Sequence, residues 1–150
     1  MGKYHITKID TPDKIPELAK TFRTSFRQTY PHFPELHTGE EDINFFTNVI
    51  LEKDEVYIVE DENDRIIGFI AFNKDFIDHL YLLPEVQRKG LGSELIRIAF
   101  EHSDELKLWT FQENTAARSF YTKHGFIAIK ETDGADNEEK QPDILFQWKK

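Results

Sequence analysis

Apolar positions recur with two different periods along this chain, and the switch between them divides it. Residues 4–8 read as a short strand, and Asp10, Thr11, Pro12 and Asp13 supply capping and turn chemistry before Ile15, Leu18, Ala19, Phe22 and Phe26, which share one helical face. After a break at Tyr30-Pro31-His32-Phe33-Pro34, Thr38 stands three residues before Glu41, the spacing of a capping box. Ile43, Phe46, Val49 and Ile50 then repeat at helical spacing, predicting a second helix that ends near Leu51. Residues 56–60 and 66–72 are β-rich runs joined by a polar turn at 61–64, and residues 76–83 form another strand after a turn at 73–75. That middle part is an antiparallel meander. From Pro84 the rhythm changes to helix 90–102, strand 106–111, helix 115–124, strand 126–132 and a last strand over 144–148. Strand-helix-strand order needs crossover connections, so the expected fold is α/β, a mixed sheet with an antiparallel N-terminal meander and a parallel pair.

Composition narrows the chemistry. The 150 residues contain no repeat, low-complexity tract or linker, so one domain over 1–150 is expected. The absence of cysteine removes disulfides, thiolate metal sites and a cysteine nucleophile. Histidines 5, 32, 37, 79, 102 and 124 make no pair at metal-ligand spacing on a helix, and no metal is expected. A formal charge of −9, with acidic residues spread along the chain, disfavours nucleic acid and anionic lipid as partners. With no apolar run of membrane-spanning length, and a start (Met1-Gly2-Lys3-Tyr4-His5-Ile6) without a secretory apolar region, the expected location is cytoplasmic.

The most informative segment joins the strand ending at Pro84 to the next helix. Gly90 and Gly92 free the backbone there, and Leu91, Leu95, Ile98 and Ala99 mark one side of the helix that follows. Amides at such a helix start are unpaired and carry partial positive charge, which suits phosphate oxygens, and Arg88 and Lys89 add two cations. Neither a P-loop Gly-Lys-Ser/Thr nor the third glycine of a dinucleotide fingerprint is present, since Leu95 stands where that glycine belongs.

Gln87-Arg88-Lys89-Gly90-Leu91-Gly92 resembles the acetyl-coenzyme A signature of the GNAT acetyltransferase superfamily, and Asn114, Ala117, Phe120-Tyr121 and Gly125-Phe126 resemble its second block. The resemblance runs from the first helix to the chain end. It implies the GNAT fold and acetyl transfer from acetyl-CoA to an amine through a ternary complex. Amides of Gln87, Arg88, Lys89, Gly90, Leu91, Gly92 and Ser93 would hold the pyrophosphate. Leu80 and Leu82 would offer main-chain groups to the pantetheine arm and the acetyl carbonyl, and Asn114 and Ala117 would contact the cofactor from the next strand end. Such a site needs neighbouring strands to part, because paired backbone groups have no valence left for a ligand.

Acetyl transfer needs a neutral nucleophile, stabilisation of charge on the carbonyl oxygen and a proton for the departing thiolate. Tyr121 matches the family position of the acid. Strict alternation would put Phe76, Asp78, Leu80 and Leu82 on one strand face and Ile77, His79 and Tyr81 on the other, which makes Asp78 the first candidate base, with His79 or water as alternatives. Two acidic stretches, 35–42 and 136–139, could meet a cationic amine, and the resemblance implies that they flank the acceptor mouth; His37, Glu41 and His79 are candidate acceptor residues. The expected acceptor is a small-molecule or peptide amine, and a homodimer is compatible with the sequence. A non-catalytic acyl-CoA sensor on the same fold, or a nucleotide-dependent oxidoreductase reading Gly90 and Gly92, remain as alternatives.

Overall fold

The computed structural model describes residues 3–150; Met1 and Gly2, the first two residues of the start read for targeting signals, lie outside the described residues. Strands β1 (His5–Ile9), β2 (Glu55–Glu60), β3 (Ile66–Phe72) and β4 (Ile77–Leu82) form one antiparallel sheet in that order. Strands β5 (Glu105–Phe111), β6 (Ile127–Thr132) and β7 (Asp143–Lys149) form a second, in the order β5-β7-β6 with both pairs antiparallel.

Helices cover both faces of the first sheet, which is why all seven residues of β3 are buried and read as a continuous apolar run. Helix α1 (Ile15–Thr29) places Ile15, Leu18 and Ala19 in a core with Phe69 and Ala71, while α4 (Leu91–His102) places Leu91, Leu95, Ile96 and Ala99 in another with Ile70 and Phe72. Each fully buried aliphatic or aromatic side chain contributes about 1.5–3 kcal/mol, so these two interfaces fix the helices on the sheet. Polar contacts set their register. Thr21 Oγ1 donates to the Ile66 carbonyl at 3.1 Å, the Ile66 amide donates to the Glu17 carboxylate at 2.8 Å, and Arg23 grips the buried Asp42 with Nε and Nη2 at 2.8 and 2.7 Å.

Helix α2 (Gly39–Phe45) begins at the expected capping box, with Glu41 N donating to Thr38 Oγ1 at 3.1 Å and Thr38 N to Glu41 Oε1 at 2.8 Å. The helical run ends near Leu51 as expected, at Lys53, but it is not one regular α-helix. A π-helical segment, Phe46–Ile50, leads into a closing turn, α3 (Leu51–Lys53). The wider turn rotates the face, so Phe46 and Ile50 are buried while Val49, expected beside them, is 42% exposed.

Two further expectations are met only in part at β4. Helix α4 does carry the chain across so that β5 runs parallel to β4, but they make no ladder, only a single parallel bridge between Phe76 and Lys107 with Lys107 N donating to the Asp75 carbonyl at 2.9 Å. Beyond it the strands part. The alternation along β4 also breaks, because Ala71 pairs with His79 but Phe72 pairs with Ile77, leaving Asp78 as the extra residue of a β-bulge. Ile77 therefore joins the core beneath α4, where Leu80 and Leu82 also pack, and Asp78 is turned instead toward Lys53, Asp54 and Asn73.

Candidate active site

The parting of β4 and β5 opens a cleft of 1410 Å³, walled by β4, the loop and helix start at 87–93, the end of β5, α5 (Thr115–Lys123), the last turns of α1 and the β6–β7 turn. Its β4 wall offers main-chain groups. Leu83 N donates across the ladder to the Ile67 carbonyl at 2.9 Å, and in an antiparallel pair such bonds recur on alternate residues, so the N–H and C=O of Leu80 and Leu82 face the cleft. The Leu82 carbonyl is already taken, by Ser25 Oγ at 3.1 Å and Gln87 Nε2 at 3.0 Å.

At the start of α4 the two glycines are required for different reasons. Gly90 has φ +83° with open space where a side chain would stand, so conformation alone demands glycine, whereas a Cβ on Gly92 would meet the Phe120 ring at 3.2 Å. Arg88 also has a positive φ, +65°. Among the described residues no acceptor is bonded to the amides of 88–93, six consecutive donors at a helix N-terminus. Arg88 lines the cleft; Lys89 reaches only toward the Tyr4 hydroxyl at 3.5 Å, and the Leu91 side chain is buried in the core. His124 Nδ1 donates to the Phe120 carbonyl at 2.8 Å, and its Nε2 meets Ser93 Oγ at 2.9 Å, so the Ser93 hydroxyl is tied to α5.

Helix α5 supplies the opposite wall. Asn114 is less free than expected: its Oδ1 caps α5 by accepting from Ala117 N at 3.0 Å, and its Nδ2 donates to the Tyr30 hydroxyl at 2.8 Å. Tyr121 is 8% exposed, among Phe120, Phe126 and Phe146, and its hydroxyl has no bonded partner among the described residues. Burial, with a smaller push from Tyr30, raises its pKa, so the phenol stays protonated and able to donate.

Three of the other candidates stand differently from expectation. His79 lines the cleft on the face opposite Leu80 and Leu82, as the alternation expected, but it is ringed by Phe22, Phe46 and Phe69, and burial pushes its pKa down to about 4, so it is neutral near pH 7 and a poor base. Glu41 does not line the cleft; its carboxylate completes the capping box, and the Thr38 amide lowers its pKa. His37 also lies off the cleft wall and bonds Glu138 instead, tying the α1–α2 loop to the β6–β7 turn.

That turn contains what the sequence located only as an acidic stretch. Asn137 donates to the Gln141 carbonyl at 2.7 Å and to Asp143 at 3.1 Å, Asp143 also bonds Thr132, and Gly134 at φ +85° leaves no room for a Cβ beside the Gln141 backbone. These contacts hold the turn and leave Glu139 without an ion-pair partner among the described residues, half-buried in the cleft wall near Tyr30 and Tyr81, its pKa raised chiefly by burial.

The Acetyltransferase (GNAT) family matches residues 15–126. The chain belongs to that family. A GNAT relative, the peptidyl-lysine N-acetyltransferase YiaC of Escherichia coli (strain K12), is 27% identical over 92 residues, covering 60% of this chain and 61% of that protein. The chain thus spans about three fifths of the length of the first curated relatives it matches. The spermidine N(1)-acetyltransferase of Thermoplasma acidophilum is 29% identical over 111 residues, 68% of each chain. In fold, the chain is similar to the PaiA N-acetyltransferase of Thermoplasma acidophilum solved with coenzyme A, with a TM-score of 0.75, 22% identity and 99% of both chains covered.

GNAT proteins draw on acetyl-CoA as acetyl donor. The residues present fit it: the six free amides and Arg88 suit a diphosphate, and the outward main-chain groups of β4 suit an amide-bearing arm. Among the described residues no group of three or more His, Asp or Glu is placed to hold a metal, and no helix is long and apolar enough to cross a membrane.

Proposed function

We propose that this chain transfers the acetyl group of acetyl-CoA to a primary amine on a cationic acceptor, with both molecules bound in the cleft together. The observation that carries the reading is the row of unpaired amides at 88–93 set beside a β4 edge that β5 has released. These amides and Arg88 hold the diphosphate, and the free N–H groups of β4 stabilise negative charge on the acetyl oxygen. Asp78, at the closed end of the cleft where the strands part, takes the proton of the acceptor ammonium. The neutral amine attacks, the N–C bond forms as the C–S bond breaks, and Tyr121 donates a hydrogen bond to the departing sulfur.

Glu139 supplies the charge that draws an ammonium or a second cationic group of the acceptor. Acceptors of this kind agree with the names of the two relatives, one acting on peptidyl-lysine and the other on spermidine. The test combines calorimetry with acetyl-CoA and a panel of polyamines and lysine peptides monitored by release of free thiol. Saturable binding and turnover with at least one amine are expected, and Tyr121→Phe should lower kcat about 100-fold while the Kd for acetyl-CoA stays within about twofold. Binding without turnover on any amine would instead make the chain an acyl-CoA sensor.

A further inference from the structure

Asp54, at the end of α3, is buried, yet its Oδ2 has no hydrogen-bond partner among the described residues. Its Oδ1 accepts from Asn73 Nδ2 at 2.9 Å, and the same Nδ2 lies 3.4 Å from Asp78 Oδ2, with Lys53 Nζ 3.2 Å from that oxygen. That single amide nitrogen holds the two carboxyls together, Asp54 through Oδ1 and Asp78 through Oδ2. Two ionised carboxylates offer only acceptors, so the contact is stable, and the orphan oxygen satisfied, when one proton lies between them.

The two carboxyls open on different spaces. Asp78 lines the cleft where β4 leaves β5, and Asp54 lines a separate cavity of 440 Å³ between the end of β1 and the β3–β4 turn. A route through the pair matters because acetylation of an ammonium releases two N–H protons. One replaces the acetyl group on sulfur. The other must leave a cleft whose mouth is filled by both bound molecules.

We propose that Asp54 and Asp78 act as one proton-sharing pair, which accepts the acceptor's ammonium proton from the cleft and releases a proton to water in the second cavity. This rests on the reading of Asp78 as base. Asp78 gains the ammonium proton, Asp54 gives up its own, and the pair returns to a single shared proton. Burial first, and Asp78 second, push Asp54 up to about 7, against the opposing effects of Asn73 and Lys53. A relay works best with a pKa near the working pH. The charged group facing the pair is Lys53 from α3, and the titratable neighbour on β4 is His79, which is neutral near pH 7. Around the second cavity stand Lys8, paired with Glu55 at 2.8 Å and Asp10 at 3.6 Å, together with Glu52, Lys74 and His102.

The test uses the full chain with its best amine. Asp54→Asn keeps the shape but cannot release a proton; kcat at pH 7 should fall about tenfold, recover with added imidazole, and leave acetyl-CoA binding within about twofold. Lys53→Met, at a half-exposed position, removes a cation that holds the pair's pKa down, so the acidic limb of the kcat profile should move to higher pH. If Asp54→Asn and Lys53→Met both keep the parent profile while Asp78→Asn loses activity, the relay is wrong and the base assignment stands. Parent-like kcat in Asp78→Asn overturns both.

Discussion

The two walls of the cleft are made of different material. On the side proposed for the donor, β4 and the start of α4 present main-chain N–H and C=O groups whose direction is set by strand pairing and by the φ angle of Gly90. On the side proposed for the acceptor the wall is made of side chains, among them Tyr30 just past α1 and Glu139 in the β6–β7 turn, a turn braced by the contact of His37 with Glu138. Backbone geometry tolerates almost any side chain except where glycine is obligatory, so it can stay fixed while the acceptor side changes.

The sharpest way to break the donor side without touching the acceptor side is Gly90→Val. A β-branched residue at φ +83° costs about 1–3 kcal/mol, and the loop would relieve the strain by turning its amides away. Each hydrogen bond to a charged phosphate contributes about 1.5–3 kcal/mol, so the Kd for acetyl-CoA should rise about 100-fold in calorimetry. No atom stands within 4 Å of the added Cβ, which separates the conformational cause from a clash. Unchanged binding would mean that these amides do not hold the donor.

The contrast also explains what could be read in the sequence. Gln87 to Gly92 was legible because main-chain demands leave marks such as glycines at fixed offsets, and the Thr38–Glu41 capping box and the apolar run of β3 were legible for the same local reason. Leu80, Leu82, His79 and Tyr81 keep the expected faces, but the extra residue moves Ile77 onto the face of Leu80 and Leu82 and leaves Asp78 out of the alternation, and nothing local announces a bulge between Ile77 and His79. The parallel ladder was expected from connectivity, which fixes the direction of β5 but not whether it stays within hydrogen-bonding distance. The π-helical segment swung Val49 outward for a reason spacing cannot show. Glu139 differs from Glu138 only through tertiary contacts: one bonds His37, and the other is left facing the cleft.

Glu139→Gln probes the acceptor side alone. The substitution keeps the shape and removes the charge, so KM for a cationic amine should rise about tenfold, with kcat within about threefold and acetyl-CoA binding unchanged. An amine without a second positive charge should show a smaller rise. Equal changes for all amines would place Glu139 in the framework of the turn rather than in recognition.

The smallest effect is expected from Thr38→Ala, which loosens the acceptor side from a distance. Losing the cap on α2 costs about 1 kcal/mol, or roughly 2–4 °C in Tm for a chain of this size. Arg23 and Asp42 hold the helix to α1, so the damage stays near the α1–α2 loop, where His37 meets Glu138. The turn bearing Glu139 then loses part of its brace, and KM for the amine should rise about two- to threefold. Gly90 and the amides beyond it lie across the cleft on elements anchored by the other core, so acetyl-CoA should bind as before. A matching loss of donor affinity would show that the two walls are mechanically coupled, and the division between a backbone-built and a side-chain-built wall would not extend to their energetics.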